Sequence, residues 1–134
     1  MAWQVLLVKL PDALGSLGDL PRDYEPPPLG EPEVVSERIA RAVARADVRC
    51  DATGNLVVMR TDDFVIEAEL GGLLEVDRVV LSIFGSEAAW PLIGDVAREL
   101  GASAIDCETD ELLDPDAVVP DTLREWQARV DELR

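Results

Sequence analysis

Phe64-Val65-Ile66-Glu67-Ala68-Glu69-Leu70 is the stretch that decides the fold. Phe64, Ile66, Ala68 and Leu70 fall on one side of an extended chain, and Val65, Glu67 and Glu69 on the other. This period-two pattern marks a strand with one face buried and one wet. Such a strand belongs to an antiparallel sheet, because a parallel sheet is covered on both faces and reads as an unbroken apolar run. Upstream, Leu56–Arg60 is a second short strand, and Thr61-Asp62-Asp63 between them reads as a hairpin turn. Downstream, Gly71-Gly72 breaks the chain before a further strand over about Arg78–Phe84. Two outlying segments complete the strand set. Trp3–Leu10 is apolar on both alternations, as in a central strand covered along most of its length, and Pro11 ends it. Ser103–Thr109 sets Ile105 and Cys107 against Asp106 and Glu108.

Helical spacing appears three times. Pro32 suits a first turn, and Val35, Ile39, Ala42, Val43 and Ala46 form one stripe, with Glu37 four residues before Arg41 on the opposite side. Asp51 and Gly54 then mark a break. The second helix spans roughly Glu87–Leu100, with Ala89, Ile93, Val96, Ala97 and Leu100 inward and Gly101 closing it. Pro91 calls for an irregular first turn or a regular start near Trp90. In the third, Thr122 and Glu125 have capping-box spacing, and Leu123, Trp126, Val130 and Leu133 continue to the C-terminus. The order β-α-β-β-β-α-β-α predicts an α+β fold: a mostly antiparallel sheet with helices on one face. A ferredoxin-like split β-α-β arrangement with one added strand is the most economical topology, with right-handed crossovers wherever a helix joins parallel strands. Residues 1–134 form one domain. Residues 11–32 hold six of the nine prolines, a surface loop of polyproline-II character anchored by Leu14, Leu17, Leu20, Tyr24 and Leu29.

Composition narrows the chemistry. The chain has 134 residues, 28 Asp and Glu, 12 Lys and Arg, no histidine and a formal charge of −16. Without imidazole there is no Ser-His-Asp or Cys-His catalysis and no His-ligated metal. An acidic protein also gains no counterion release at phosphates, which argues against direct nucleic-acid binding. The 48% hydrophobic content supports a folded core, built from aliphatic residues because aromatics are only 4%. Two cysteines, Cys50 and Cys107, make no disulfide framework. The opening Met1-Ala2-Trp3-Gln4 lacks a basic leader region, and the apolar run Val5–Val8 is too short to span a membrane. The expectation is a soluble cytoplasmic protein with both thiols reduced, Cys107 packed as a small hydrophobe.

The densest acidic run is Asp106, Glu108, Asp110, Glu111, Asp114 and Asp116, with no basic residue from Ser103 to Val119. Its opening has the Asp-x-Glu-x-Asp form of a calcium loop, but Glu111 stands where the turn needs glycine and Ala117 where a bidentate carboxylate is required. Glu67 and Glu69 lie on one strand face about 7 Å apart, and Asp106 and Glu108 can share that face if the strands are close neighbours. Exposed alternation argues against a split carboxylate pair working as acid and base. Arg38, Arg41 and Arg45 follow one side of the first helix, where Glu33, Glu37 and the helix dipole account for them. Ser86 after Gly85 fits an N-cap, since no Gly-x-Ser-x-Gly motif surrounds it. The glycines lack phosphate-loop spacing, and no cofactor is called for. Trp3, Trp90 and Trp126 all fall on or beside apolar stripes and read as core, Trp126 being the one expected to be partly exposed.

Trp3-Gln4-Val5, the stretch from Leu20-Pro21-Arg22-Asp23-Tyr24-Glu25 through Pro26-Pro27-Pro28-Leu29-Gly30, and Leu100-Gly101 leading to Ala104-Ile105-Asp106-Cys107 and Leu112-Leu113-Asp114 carry a resemblance. The chain resembles a group of small, uncharacterised bacterial proteins, many from actinobacteria. That likeness covers most of the chain and implies no functional residues. In size and acidic α+β character it is also loosely similar to immunity proteins of bacterial toxin systems.

The resulting expectation is a non-enzymatic acidic protein-binding domain, an immunity-type inhibitor of a basic toxin being the leading form. Its binding surface is assigned to Asp106, Glu108, Asp110, Glu111, Asp114 and Asp116, with the loop at Pro26, Pro27 and Pro28 beside them. The alternatives are a carboxylate- or divalent-metal-dependent enzyme using the same acids with Glu67 and Glu69, and a nucleic-acid mimic.

Overall fold

The computed structural model describes residues 2–11, 17–45, 47–72, 74–114 and 120–132. Seven strands form one antiparallel sheet: β1 (Trp3–Val8), β2 (Arg49–Thr53), β3 (Leu56–Arg60), β4 (Phe64–Gly71), β5 (Arg78–Gly85), β6 (Ser103–Asp106) and β7 (Glu111–Leu113), in the spatial order β2-β3-β4-β5-β1-β6-β7. Three α-helices accompany it: α1 (Pro32–Ala42), α2 (Trp90–Leu100) and α3 (Asp121–Glu132). The mixed α+β class and the antiparallel sheet therefore follow the sequence expectation. Two short strands were not legible in advance. β2 is exposed at four of its five positions and carries no burial pattern, and β7 is only three residues long.

Period-two alternation in β4 propagates across the sheet through register. Ile66 pairs with Ile83 and Met59, Ala68 with Leu81 and Val57, and Leu70 with Val79. On β1, Trp3 pairs with Ile83, Val5 with Leu81 and Leu7 with Val79. One face thus collects a continuous apolar surface, and these residues share a single core cluster with Val35 and Ile39 of α1, six residues of α2, and Leu123 and Trp126 of α3. Burying each large side chain contributes about 1.5–3 kcal/mol. β1 and β4 run in the same direction with β5 between them, and β5 and β6 do so with β1 between them. The α2 crossover from β5 to β6 therefore skips one strand, whereas the α1 crossover from β1 to the far-edge strand β2 skips three, β5, β4 and β3.

The helices end where their sequences indicate. Pro32 occupies the first turn of α1, and Val35 and Ile39 are buried one turn apart. A 3₁₀ turn at Glu87–Ala89 precedes α2, with the Ser86 hydroxyl accepting the Ala88 N–H, so Pro91 falls in the first turn of the regular helix. Gly101, at φ 63°, closes it in the left-handed region. The arginines of α1 do more than complement its own dipole. Arg38 donates to the Glu99 carbonyl, Arg41 lies 3.6 Å from Glu99, and Arg45, just past the helix, pairs with Asp95. Ascending numbers on one helix meet descending numbers on the other, so α1 and α2 run antiparallel. The expected positions Leu14, Ala46 and Leu133, and the side chains of Leu17, Thr122 and Val130, lie outside the described residues.

Gly85 is fixed by close approach. At φ 111° it pairs with Phe64, and a Cβ there would lie 2.5 Å from the Asp63 carbonyl oxygen and 2.8 Å from Phe64 Cα. Both neighbours are backbone and cannot rotate away. Gly85→Ala is expected to cost about 2 kcal/mol or more in urea unfolding. An unchanged midpoint would show that the β4–β5 end is looser than this geometry requires.

Candidate functional site

Asp106 turns the chain from β6 into β7. Its carboxylate accepts the Glu108 N–H at 2.8 Å, and its carbonyl accepts the Asp110 N–H at 2.7 Å. A short side chain that captures a nearby N–H competes with strand continuation, which is why aspartate opens turns. Asp110 then takes φ 58°, a conformation Asp tolerates better than most residues. The strand expected to run to Thr109 consequently stops at Asp106. Glu111 pairs back across from Asp106, and the turn is also rooted on β1 by the Cys107 N–H donating to the Gln4 carbonyl at 3.1 Å.

This hairpin divides the predicted acidic surface. Asp106 is only 1% exposed and sits on the core face of the sheet, in register with Val5, while Ile105 faces the opposite side with Leu6. Asp106 is therefore a structural turn residue and is not offered to a partner. Cys107, Glu108, Asp110, Glu111 and Asp114 are exposed. Glu108 meets Arg129 of α3 at 3.1 Å, so a cation remote in sequence relieves the run that looked unrelieved. Asp110 and Glu111 meet no basic side chain among the described residues. Asp114 follows Leu113, which is paired with Ala104, and so lies at the far end of the hairpin from the turn. Asp116 lies outside the described residues.

Pro26 is half-buried, and Pro27 and Pro28 are exposed. They are held between Tyr24, whose hydroxyl donates to the Lys9 carbonyl at 2.8 Å, and Leu29, whose N–H donates to the Val76 carbonyl at 2.6 Å. Both anchors are at the end of the sheet where β1 finishes and β5 begins, opposite the Cys107–Asp110 turn. The proline run therefore does not adjoin that turn. Glu67 and Glu69 sit on β4, with β5 and β1 between them and β6, on the face opposite Asp106. The four carboxylates do not gather, and among the described residues no three Asp, Glu or Cys side chains form a group that could hold a metal ion.

Beneath the turn lies a depression of about 260 Å³, walled by Trp3 and Gln4 of β1, Cys107 and Glu108 of the turn, and Trp126 and Arg129 of α3. Trp126, expected to be partly exposed, is only 3% so, because α3 lays it into the core cluster that holds Trp3. Trp3 in turn stacks at a tilt on Trp90, with ring centroids 6.3 Å apart. The indole N–H groups of both Trp3 and Trp126 are buried and meet no acceptor among the described residues. An unsatisfied buried donor forfeits about 1–3 kcal/mol. Separated by more than a hundred residues in sequence, these two rings give no local signal that they wall one depression.

Neither cysteine is in a disulfide. Cys50 is half-buried against the core, while Cys107 is exposed on the turn rather than packed as a small hydrophobe. Partial burial, then the Asp106 and Asp110 carboxylates, push the Cys107 thiol up from its ordinary value. Raised in the folded state, it stays protonated at neutral pH, and its thiolate appears at higher pH than in the unfolded chain.

Two outcomes follow. Asp106→Ala should lower stability by about 1–3 kcal/mol through the lost acceptor, whereas Asp110→Asn, which keeps a residue tolerant of the left-handed region on the exposed turn, should stay within about 0.5 kcal/mol. Equal effects in urea titrations would remove the structural role given to Asp106. Alkylation of Cys107 by iodoacetamide, followed by peptide mass spectrometry, should be slower at pH 8 in the folded than in the urea-unfolded chain. Asp110→Asn should speed the folded reaction. A folded rate equal to the unfolded one would contradict the raised thiol.

Compared with protein-family models, with curated proteins and with solved structures, the chain matches none of them.

Proposed function

We propose that this chain is a non-enzymatic protein-binding domain whose β6–β7 hairpin receives a basic partner, in the manner of an immunity-type inhibitor of a cationic toxin. The observation that carries the reading is the pair Asp110 and Glu111. Both are exposed at the tip of a hairpin on the sheet's edge, and neither meets a basic side chain among the described residues. Elsewhere the arginines of α1, α2 and α3 are tied to acids or carbonyls. Asp114, exposed at the far end of the same hairpin, adds a further carboxylate to that edge. In a protein of charge −16, such an edge attracts cationic surfaces over distances comparable to the Debye length and accelerates encounter. The sequence resemblance to small acidic bacterial proteins, and the looser likeness to immunity proteins, are consistent with that role. No helix among the described residues is long and apolar enough to cross a membrane.

The test is kinetic. Proteins retained by the immobilised chain from bacterial extract are identified and purified, and their association rates are measured by stopped flow at several salt concentrations. Reversing Asp110, Glu111 and Asp114 to Lys together is expected to slow association by about tenfold or more at low salt and to flatten the salt dependence. Circular dichroism should remain unchanged. A bound protein whose association rate ignored both salt and the triple reversal would refute the proposed surface.

A further inference from the structure

We infer that a cleft at the other edge of the sheet binds the carboxylate of a small organic acid with an apolar body, gripped by Arg49 and Arg60. This site is independent of the β6–β7 hairpin. The cleft measures about 500 Å³, and Arg49, Arg60, Thr61 and Val65 all line it. Register sets the two arginines together. Gly54, at φ 61°, opens the two-residue turn between β2 and β3, and the ladder that starts with Thr53 across from Leu56 ends with Arg49 across from Arg60. Directly opposed side chains share one face, with Cβ atoms about 4.5–5.5 Å apart, and like charges so placed disfavour the pairing. No acid relieves them. Neither guanidinium is paired among the described residues, although Asp47, Asp62 and Asp63 line the same cleft. Every other arginine of the described strands and helices meets an acid or a carbonyl.

Thr61 completes a set of donors. Its hydroxyl oxygen accepts the Asp63 N–H at 3.1 Å and the Phe64 N–H at 3.2 Å, which occupies both acceptor positions and leaves the O–H to donate. A guanidinium can only donate as well. Two planar forks and a hydroxyl in one wall call for an acceptor, and carboxylate oxygens match an arginine fork two at a time. The aspartates select the charge: a dianionic phosphate would meet all three carboxylates in the wall, whereas a monocarboxylate brings the least charge the forks can use. Val65 selects the body. It lies on the face away from the core, with Arg60 across from it on β3 and Phe84 across from it on β5, and Phe84 is 37% exposed. Neighbouring strands are about 4.8 Å apart, so Arg60 and Phe84 are separated by about 10 Å. A phenyl ring joined to a carboxylate through two carbons can bridge that span.

Four probes are titrated at constant ionic strength into the ¹⁵N-labelled full chain, with the backbone amides of Thr61–Phe64 as the readout: 3-phenylpropionate, 3-phenylpropionamide, acetate and inorganic phosphate. Saturable millimolar binding of 3-phenylpropionate is expected, with acetate and phosphate about tenfold weaker and the uncharged amide ineffective. Arg49→Gln and Arg60→Gln should each weaken 3-phenylpropionate about tenfold, and Phe84→Ala should bring it to the level of acetate. Arg22→Gln, at an exposed arginine outside the cleft, should leave binding unchanged. Circular dichroism checks each fold, and the wild-type probe series decides by itself if a variant does not fold. No saturable shift at tens of millimolar, an amide that binds as well as the acid, or equal weakening by Arg22→Gln would each overturn the site. Phosphate matching 3-phenylpropionate would overturn its assignment to an apolar carboxylate.

Discussion

β1 is the constraint on which the remainder of the molecule depends. It lies between β5 and β6 and is the only strand bonded to both halves of the sheet. On one side is the four-stranded meander β2-β3-β4-β5, built from successive hairpins of low sequence separation. On the other is the β6–β7 hairpin. Without Trp3–Val8 these are two separate pieces, each with an open edge. Every contact made by β1 is long in sequence: Val5 pairs with Leu81 and with Asp106. Loop-closure entropy must be met before those pairings are rewarded, so insertion of β1 is the step that local structure cannot supply. Trp3 makes the insertion worthwhile, because it fills the core between the sheet, Trp90 of α2 and the cluster reached by Trp126 of α3.

Electrostatics is organised around the same frame. Surface ion pairs contribute about 0–1 kcal/mol each, so the arginine contacts matter for where they leave charge unbalanced more than for stability. Arg38, Arg41, Arg45 and Arg98 converge on Asp95 and Glu99 of α2, which ties α1 to α2 and neutralises that side of the molecule. Arg124 reaches Glu87, and Arg129 reaches Glu108, so α3 is pinned at the 3₁₀ turn and at the hairpin. Arg49 and Arg60 are set directly across from one another on β2 and β3, with no ion pair among the described residues. Cations are thus gathered at the helices and at the β2–β3 edge. At the opposite edge, the exposed Asp110 and Glu111 meet no basic side chain among the described residues.

What could be read in the sequence follows from the range of the physics involved. The strand Phe64–Leu70, the hairpin turn at Thr61-Asp62-Asp63, the Ser86 cap and the Gly101 helix end are local. Each depends on alternation, a captured N–H or a left-handed residue, and each is legible within a few positions. Thr61, for example, accepts the N–H groups of Asp63 and Phe64 with its own hydroxyl. β2 and β7 were illegible because an exposed edge strand needs no hydrophobic pattern; its partner supplies the order. The acidic run misled for a related reason. In Ile105-Asp106-Cys107, alternation assigns the apolar residues to the core, but pairing with β1 sets the faces and sends Asp106 inward. Arg129 was likewise invisible to any reading of residues 103–119, although it neutralises Glu108. The depression between Trp3 and Trp126 is the extreme case, since it joins the two ends of the chain.

That junction also connects fold and function physically. The turn bearing the exposed carboxylates is held by Asp106 from within and by the Gln4 carbonyl from β1, so its shape is set by the core and not by the charges it presents. A rigid turn lets charge steer a partner without an ordering cost on arrival. Charge alone gives rate and little selectivity, so under the proposed function any discrimination between cationic partners falls to the fixed shape of the Cys107–Asp110 turn, which Asp106 and the Gln4 carbonyl set.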